Sequence, residues 1–172
     1  KFKNLKAAYS FMTCHPGKKL LFMGQEFGQL REWSEERELD WFLLGEEKHR
    51  DLKDFVQALL KMYRKYPALY GMDNDPSGFE WINADDGDRS IFSFVRKSPT
   101  GRNNLLVVCN FTPVDRPDYR VGVPKKKQYT QILNENGMTS KKIFKAEKQD
   151  CDNRPFSFAY PLPAYGVAIF QY

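Results

Sequence analysis

The sequence predicts an α+β chain in two parts: a helix–strand–helix piece built for a parallel sheet, then an antiparallel β sandwich. Three observations predict it. Apolar residues recur at helical spacing on either side of one short, continuous apolar run. After Pro76 the hydrophobic period changes to two. From there short apolar segments alternate with turn residues along the rest of the sequence.

Phe2, Leu5, Tyr9 and Met12 stand three and four residues apart, so 2–12 reads as an amphipathic helix closed by His15-Pro16-Gly17. Leu20-Leu21-Phe22-Met23 is apolar at every position, the pattern of a strand buried on both faces of a parallel sheet. Gly24 opens a long polar loop. A second helix is expected from Asp51 to Tyr66, with Leu52, Phe55, Val56, Leu59, Leu60 and Tyr63 as its stripe; His49 precedes it and Pro67 ends it. This unit cannot bury its strand alone, because parallel pairing needs neighbours these residues do not supply.

The second part begins with a hairpin, Phe79–Ile82 and Ile91–Val95 around Asp85-Asp86-Gly87-Asp88. Strands are expected next at Leu105–Asn110, Tyr119–Val123, Tyr129–Leu133, Lys142–Lys145, Phe156–Tyr160 and Val167–Tyr172. Pro99-Thr100-Gly101, Asn134-Glu135-Asn136-Gly137 and the pair Pro161 and Pro163 mark turns between them. Short strands at this spacing predict an antiparallel sandwich, with Trp81, Phe92, Phe94, Leu106 and Val108 facing inward. The boundary falls near Tyr70–Ser77, which gives parts 1–72 and 73–172.

Composition narrows the function classes. Apolar residues at 41% and charged residues at 28% are ordinary for a packed globular chain. Aromatic content of 15% suits pleated sheets and sugar binding. The formal charge is +5, from 27 basic and 22 acidic residues, and the longest basic run is Lys125-Lys126-Lys127. That interspersed pattern argues against nucleic acid as a partner. Cys14, Cys109 and Cys151 are odd in number and form no CxxC pair, so neither a disulfide framework nor a zinc site is expected. Reduced thiols in a cytoplasmic protein follow. No apolar run approaches a membrane span. The chain starts at Lys1, partway into a helical pattern, and so reads as a fragment.

The candidate site lies just past the apolar run. Polar residues at the C-terminal ends of parallel strands face the mouth of a (β/α) barrel, and here those are Gln25 and Glu26. Glu26 is expected to orient a hydroxyl or a catalytic neighbour by a charged hydrogen bond. Trp33 offers a ring to a sugar; the competing reading is that it packs the loop and that Glu26 holds backbone donors. Asp85, Asp86 and Asp88 read as turn residues, without the spacing of a calcium loop. His15 and His49 lack a Ser or Cys partner at telling spacing. No two carboxylates can be placed face to face across a cleft, as retaining glycosidase chemistry requires.

The stretch from Pro16 to Gly28, PGKKLLFMGQEFG, resembles the eighth barrel strand of bacterial 1,4-α-glucan branching enzymes, members of the α-amylase superfamily. The likeness continues through Arg31-Glu32-Trp33, Leu39-Asp40-Trp41, Pro67-Ala68-Leu69, Gly78–Ile82, Ser90–Arg96, Asn110–Val114 and Ile132–Asn134. It fades between Glu135 and Arg154 and returns at Leu162-Pro163 and Ala168-Ile169-Phe170. The resemblance implies that 1–72 is the C-terminal piece of a catalytic (β/α)8 barrel, its last strand and flanking helices, and that 73–172 is the β sandwich behind it. It implies an α-glucan substrate, no metal or organic cofactor, and Gln25, Glu26 and Trp33 near the substrate. The family's nucleophile, acid/base and second Asp lie on barrel strands four, five and seven, so no catalytic residue is assigned here, and the missing N-terminal part of the barrel is the expected partner. Two alternatives stay open: another glycosidase of the same superfamily, and a freestanding carbohydrate-binding β domain.

Overall fold

The computed structural model describes the backbone throughout and the side chains of residues 1–139 and 142–172. Helix α1 spans Phe2–Cys14 and helix α2 Glu47–Lys65. Eight strands follow: β1 Phe79–Asn83, β2 Ile91–Arg96, β3 Leu105–Asn110, β4 Arg116–Val123, β5 Gln128–Asn134, β6 Gly137–Lys145, β7 Phe156–Leu162 and β8 Val167–Gln171. Each expected strand of the second part is present. Six form one antiparallel sheet in the order β1-β2-β3-β8-β5-β6, and β4 pairs with β7 in a second sheet. Among the described residues, no helix is long and apolar enough to cross a membrane.

The large sheet is covered on both faces, which makes three layers. Strand β3 shows why: all six of its residues are buried. Leu105, Val107 and Cys109 face the helices and join Phe55, Leu59 and Met62 of α2 in one core. Leu106 and Val108 point the other way, against Val121 of β4 and Phe158 of β7 in a second core. The expected inward set therefore divides. Phe94 faces the helices, while Leu106 and Val108 face the small sheet; Trp81 remains 38% exposed at the sheet edge. The expectation treated the sandwich as having one interior, and period-two alternation cannot say how many layers a sheet touches.

Helix α2 begins four residues earlier than expected, so His49 lies inside it rather than before it. Its ring is 3% exposed, with Nδ1 2.7 Å from the Phe27 carbonyl oxygen. Glu47 in the first turn and Arg64 and Lys65 in the last complement the helix dipole. Helix α1 departs from its pattern. The face it buries carries Lys6, Ala7, Ser10, Thr13 and Cys14, whereas Phe2, Leu5, Tyr9 and Met12 are only half-buried. Lys6 is tolerated because Nζ donates to Asp51 at 2.7 Å and to the Glu135 carbonyl at 3.1 Å, tying α1 to α2 and to the β5–β6 turn.

A larger tie sits at the end of β2. Arg96 is fully buried. Its guanidinium donates to the Cys14 carbonyl at 2.6 Å and the Leu69 carbonyl at 3.2 Å, and pairs with Asp73. One cation thus joins the end of α1, the turn after α2 and the sheet.

Between β6 and β7 the chain forms a strap. Cys151 and Arg154 exchange backbone hydrogen bonds of 3.0 and 2.8 Å around Asp152 and Asn153, both at positive φ. Asp and Asn tolerate that conformation best among residues with a side chain. Asp152 accepts from the Gly122 N–H at 2.8 Å and from Asn83 Nδ2 at 2.9 Å, so it bridges the two sheets. Arg154 donates to the Trp81 carbonyl at 3.1 Å and pairs with Glu80 at 2.7 Å, covering the outer edge of β1.

Candidate functional site

Residues 15–46 connect the two helices and carry the site named from sequence. The expected strand Leu20–Met23 is not formed. Leu20 is 73%, Phe22 40% and Met23 51% exposed, and among the described residues no strand pairs with them. A lone extended segment has no partner for its peptide groups, so the run stays irregular. It ends in a sharp reversal. Met23 has φ 27° and Gly24 φ 87°, a one-turn 3-10 helix covers Gln25–Phe27, and Gly28 closes it at φ 71°. Phe27 is the anchor: fully buried, 5.1 Å between ring centroids from Trp41 and bonded through its carbonyl to His49.

This reversal turns Gln25 toward the loop. Its Oε1 accepts the Phe22 N–H at 2.9 Å, and its carbonyl accepts the Tyr9 hydroxyl at 2.9 Å. Burial and then the Glu26 charge raise the Tyr9 pKa, so that hydroxyl remains a donor. Gln25, Phe22, Met23, Leu30, Glu32 and Trp33 line a cleft of about 410 Å³. Phe22 and Trp33 meet edge to face at 5.1 Å. Gln25 and Trp33 are therefore brought together, while Glu26 is half-buried and stands outside the cleft lining, beside Tyr9.

Sequence reasoning missed what fixes this loop. Gln29 Oε1 accepts the Asp40 N–H at 2.8 Å, its Nε2 donates to the Arg31 carbonyl at 3.1 Å, and Arg31 clamps Asp40 through Nε at 2.9 Å and a second, shorter bond. The Asp40 side chain is 5% exposed, the Arg31 side chain 55%. No sequence spacing announces a clamp between residues nine apart in a loop. Phe22 walls the cleft although its apolar neighbours predict a strand there.

The clamp makes the loop acid-sensitive. Hydrogen bonds from Arg31 hold the Asp40 carboxyl below the usual carboxylate range. A depressed folded pKa contributes stability above the unfolded value, and that contribution is lost as pH falls through the folded one. The emission of Trp33 and Trp41 is thus expected to stay constant down to roughly pH 4, the unfolded Asp range, and to change below it. Asp40→Asn should remove that transition; an acid transition unchanged in the variant would assign it elsewhere.

Other clusters hold no evident chemistry. Among the described residues, no group of three or more His, Cys, Asp or Glu side chains could hold a metal ion. Asp86 pairs with Arg89 at 2.7 Å. Cys14 and Cys109 are fully buried, and burial pushes the Cys14 thiol up to about 12. Two further clefts, of about 490 and 500 Å³, open beside Arg116 on β4 and beside Lys97 and Tyr172.

Comparison with known proteins places this architecture. The family described as "Alpha amylase, C-terminal all-beta domain" matches residues 81–172. A 1,4-alpha-glucan branching enzyme GlgB of Butyrivibrio fibrisolvens is 50% identical over 179 aligned residues, which take in 100% of this chain and 28% of that protein. The Aquifex aeolicus GlgB is 44% identical over the same shares. This chain therefore spans about 28% of the length of these relatives. Among solved structures, AmyP in complex with maltose superposes with a TM-score of 0.70 at 15% identity, covering 99% of this chain and 34% of that one. Pullulanase type I from Bacillus subtilis gives 0.71 at 12%, covering 99% and 23%. At such identities these structures speak for the fold alone.

Proposed function

We propose, from the premise that this chain belongs to the alpha-amylase C-terminal all-beta domain family, that it is the C-terminal part of a 1,4-α-glucan branching enzyme. The single observation that carries the reading is 50% identity along the whole chain to an enzyme of that name. In this reading residues 1–72 complete a (β/α)8 barrel and 73–172 form the sandwich behind it. The unpaired run Leu20–Met23 and the half-exposed apolar stripe of α1 are then surfaces that the other barrel strands and helices cover. Gln25, Glu26 and Trp33 stand at the rim of the glucan site, in a cytoplasmic enzyme without a cofactor. Branching would cleave an α-1,4 link with retention and pass the segment to a 6-hydroxyl, using carboxylates that this chain does not supply.

A chimera tests the reading. The 28% of the Butyrivibrio enzyme that aligns with this chain is replaced by it, and the product is assayed by loss of iodine colour from amylose. The chimera is expected to branch and the isolated chain to leave the spectrum unchanged. A folded but inactive chimera would overturn the proposal. Within an active chimera, Trp33→Ala and Glu26→Gln should each lower turnover about tenfold, the equivalent of one lost interaction of ~1.4 kcal/mol. Full activity with a lowered melting temperature would instead make both residues structural.

A further inference from the structure

The charge of this chain is not spread evenly over the fold. Segment 124–148 holds seven lysines and two glutamates, a net +5, which is the formal charge of the whole chain; the rest is balanced. The fold gathers much of this segment at one place. β6 is the outermost strand of the large sheet, and among the described residues its ladder partner is β5. Lys145 lies opposite Gln128, and the Ala146 N–H bonds to the Lys127 carbonyl at 3.0 Å, which sets the 125–127 run beside the end of β6. Lys125, Lys126, Lys127, Lys142, Lys145 and Lys148 are all exposed. Ile143 is 53% exposed among them.

We propose that the β6 edge binds an acidic polypeptide segment in extended conformation, added to the sheet as one more strand. An outer strand offers a row of peptide groups that an extended chain can pair with. The lysines decide which chain. Two copies of this edge would set lysine against lysine, which disfavours self-pairing, while alternating carboxylates would be drawn to it. The chemistry of the surface favours a peptide over other polyanions. The segment contains no arginine, and its rings are turned inward: Tyr129 is fully buried and Phe144 half-buried. Nucleic-acid surfaces rely on the guanidinium fork and on exposed stacking rings. The opposite edge of the sheet lacks this character, because Arg154 and Glu80 cover β1.

The test uses the full chain and a short blocked peptide of alternating glutamate and threonine. Fluorescence anisotropy should show binding that weakens as salt rises. A peptide of equal charge with two central threonines replaced by proline should bind at least tenfold more weakly, since proline removes the strand's donors. The variant Lys125→Glu, Lys126→Glu, Lys127→Glu and Lys145→Glu, exposed positions all, should melt normally and lose binding. Equal binding of the proline peptide would reduce the effect to bulk charge and overturn the proposal. So would absence of binding, or tighter binding of oligothymidine or of phosphatidylserine vesicles.

Discussion

An Arg96→Met variant is expected to lose about 3–5 kcal/mol of folding stability, the usual cost of removing one member of a buried charge pair. Arg96 is the largest side chain buried without exposure, and its ties run from the sheet to the end of α1 and to the turn after α2. Methionine can fill much of the volume but leaves two carbonyls without their donor. It also strands Asp73, whose side chain is only 10% exposed. Arg96→Lys keeps the charge but loses the planar fork, so it should fall between methionine and the parent. Adding Asp73→Asn to the methionine variant should recover part of the loss by removing the stranded charge. Urea unfolding followed by circular dichroism measures all three. A methionine variant within about 1 kcal/mol of the parent, the worth of an ordinary hydrogen bond, would show that the helices dock without this cation.

Gly122→Ala is expected to cost about 1–3 kcal/mol, as overpacking does, although it adds one methyl to a strand that ordinarily prefers larger residues. A Cβ at this position would lie 2.2 Å from the carbonyl oxygen of Cys151 and 2.9 Å from Cβ of Asp152. Neither atom is the flexible end of a long side chain, so the strap has to lift away. Lifting it lengthens the bond from the Gly122 N–H to Asp152 and loosens the one from Asn83. Hydrogen exchange should show this as faster exchange at Gly122 and across 151–154, with α2 protected as before. A loss spread evenly over the molecule would instead point to damage in the sheet core. Asp152→Ala, which removes the bridge without a clash, should give a smaller change in the same places.

The strands of the second part were legible because turn residues and period-two alternation agree along 79–171, and the observed strands overlap every one expected there. The layers were not legible. Alternation gives two faces to each strand, and only the course of the chain decides that helices cover one face and β4 with β7 the other. The α1 stripe misled because Lys6, Ser10 and Thr13 can be buried once hydrogen-bonded or small enough to pack closely, and hydrophobicity does not record that. Leu20–Met23 shows the opposite failure, for its unbroken apolar composition predicts a strand buried on both faces while Leu20, Phe22 and Met23 stand exposed. Of the three expected site residues, Gln25 and Trp33 line one cleft and Glu26 lies outside its lining, because the tight turn at 24–28 sends neighbouring side chains in different directions. The Arg31–Asp40 clamp leaves no trace in spacing, because a loop has no period.

Strand β8 follows every other strand in chain order, yet it stands in the middle of the large sheet, paired with β3 on one side and β5 on the other. During synthesis the earlier strands are available first, as two separate groups, β1-β2-β3 and β5-β6, each with an open inner edge. Among the described residues, no strand pairing joins them until residues 167–171 arrive, because those residues are the seam. The nascent chain therefore waits with two unpaired apolar edges, a state prone to capture by other chains. The completion of this sheet is timed by its last strand, and a chain cut a few residues short of it would hold two half-sheets without their seam.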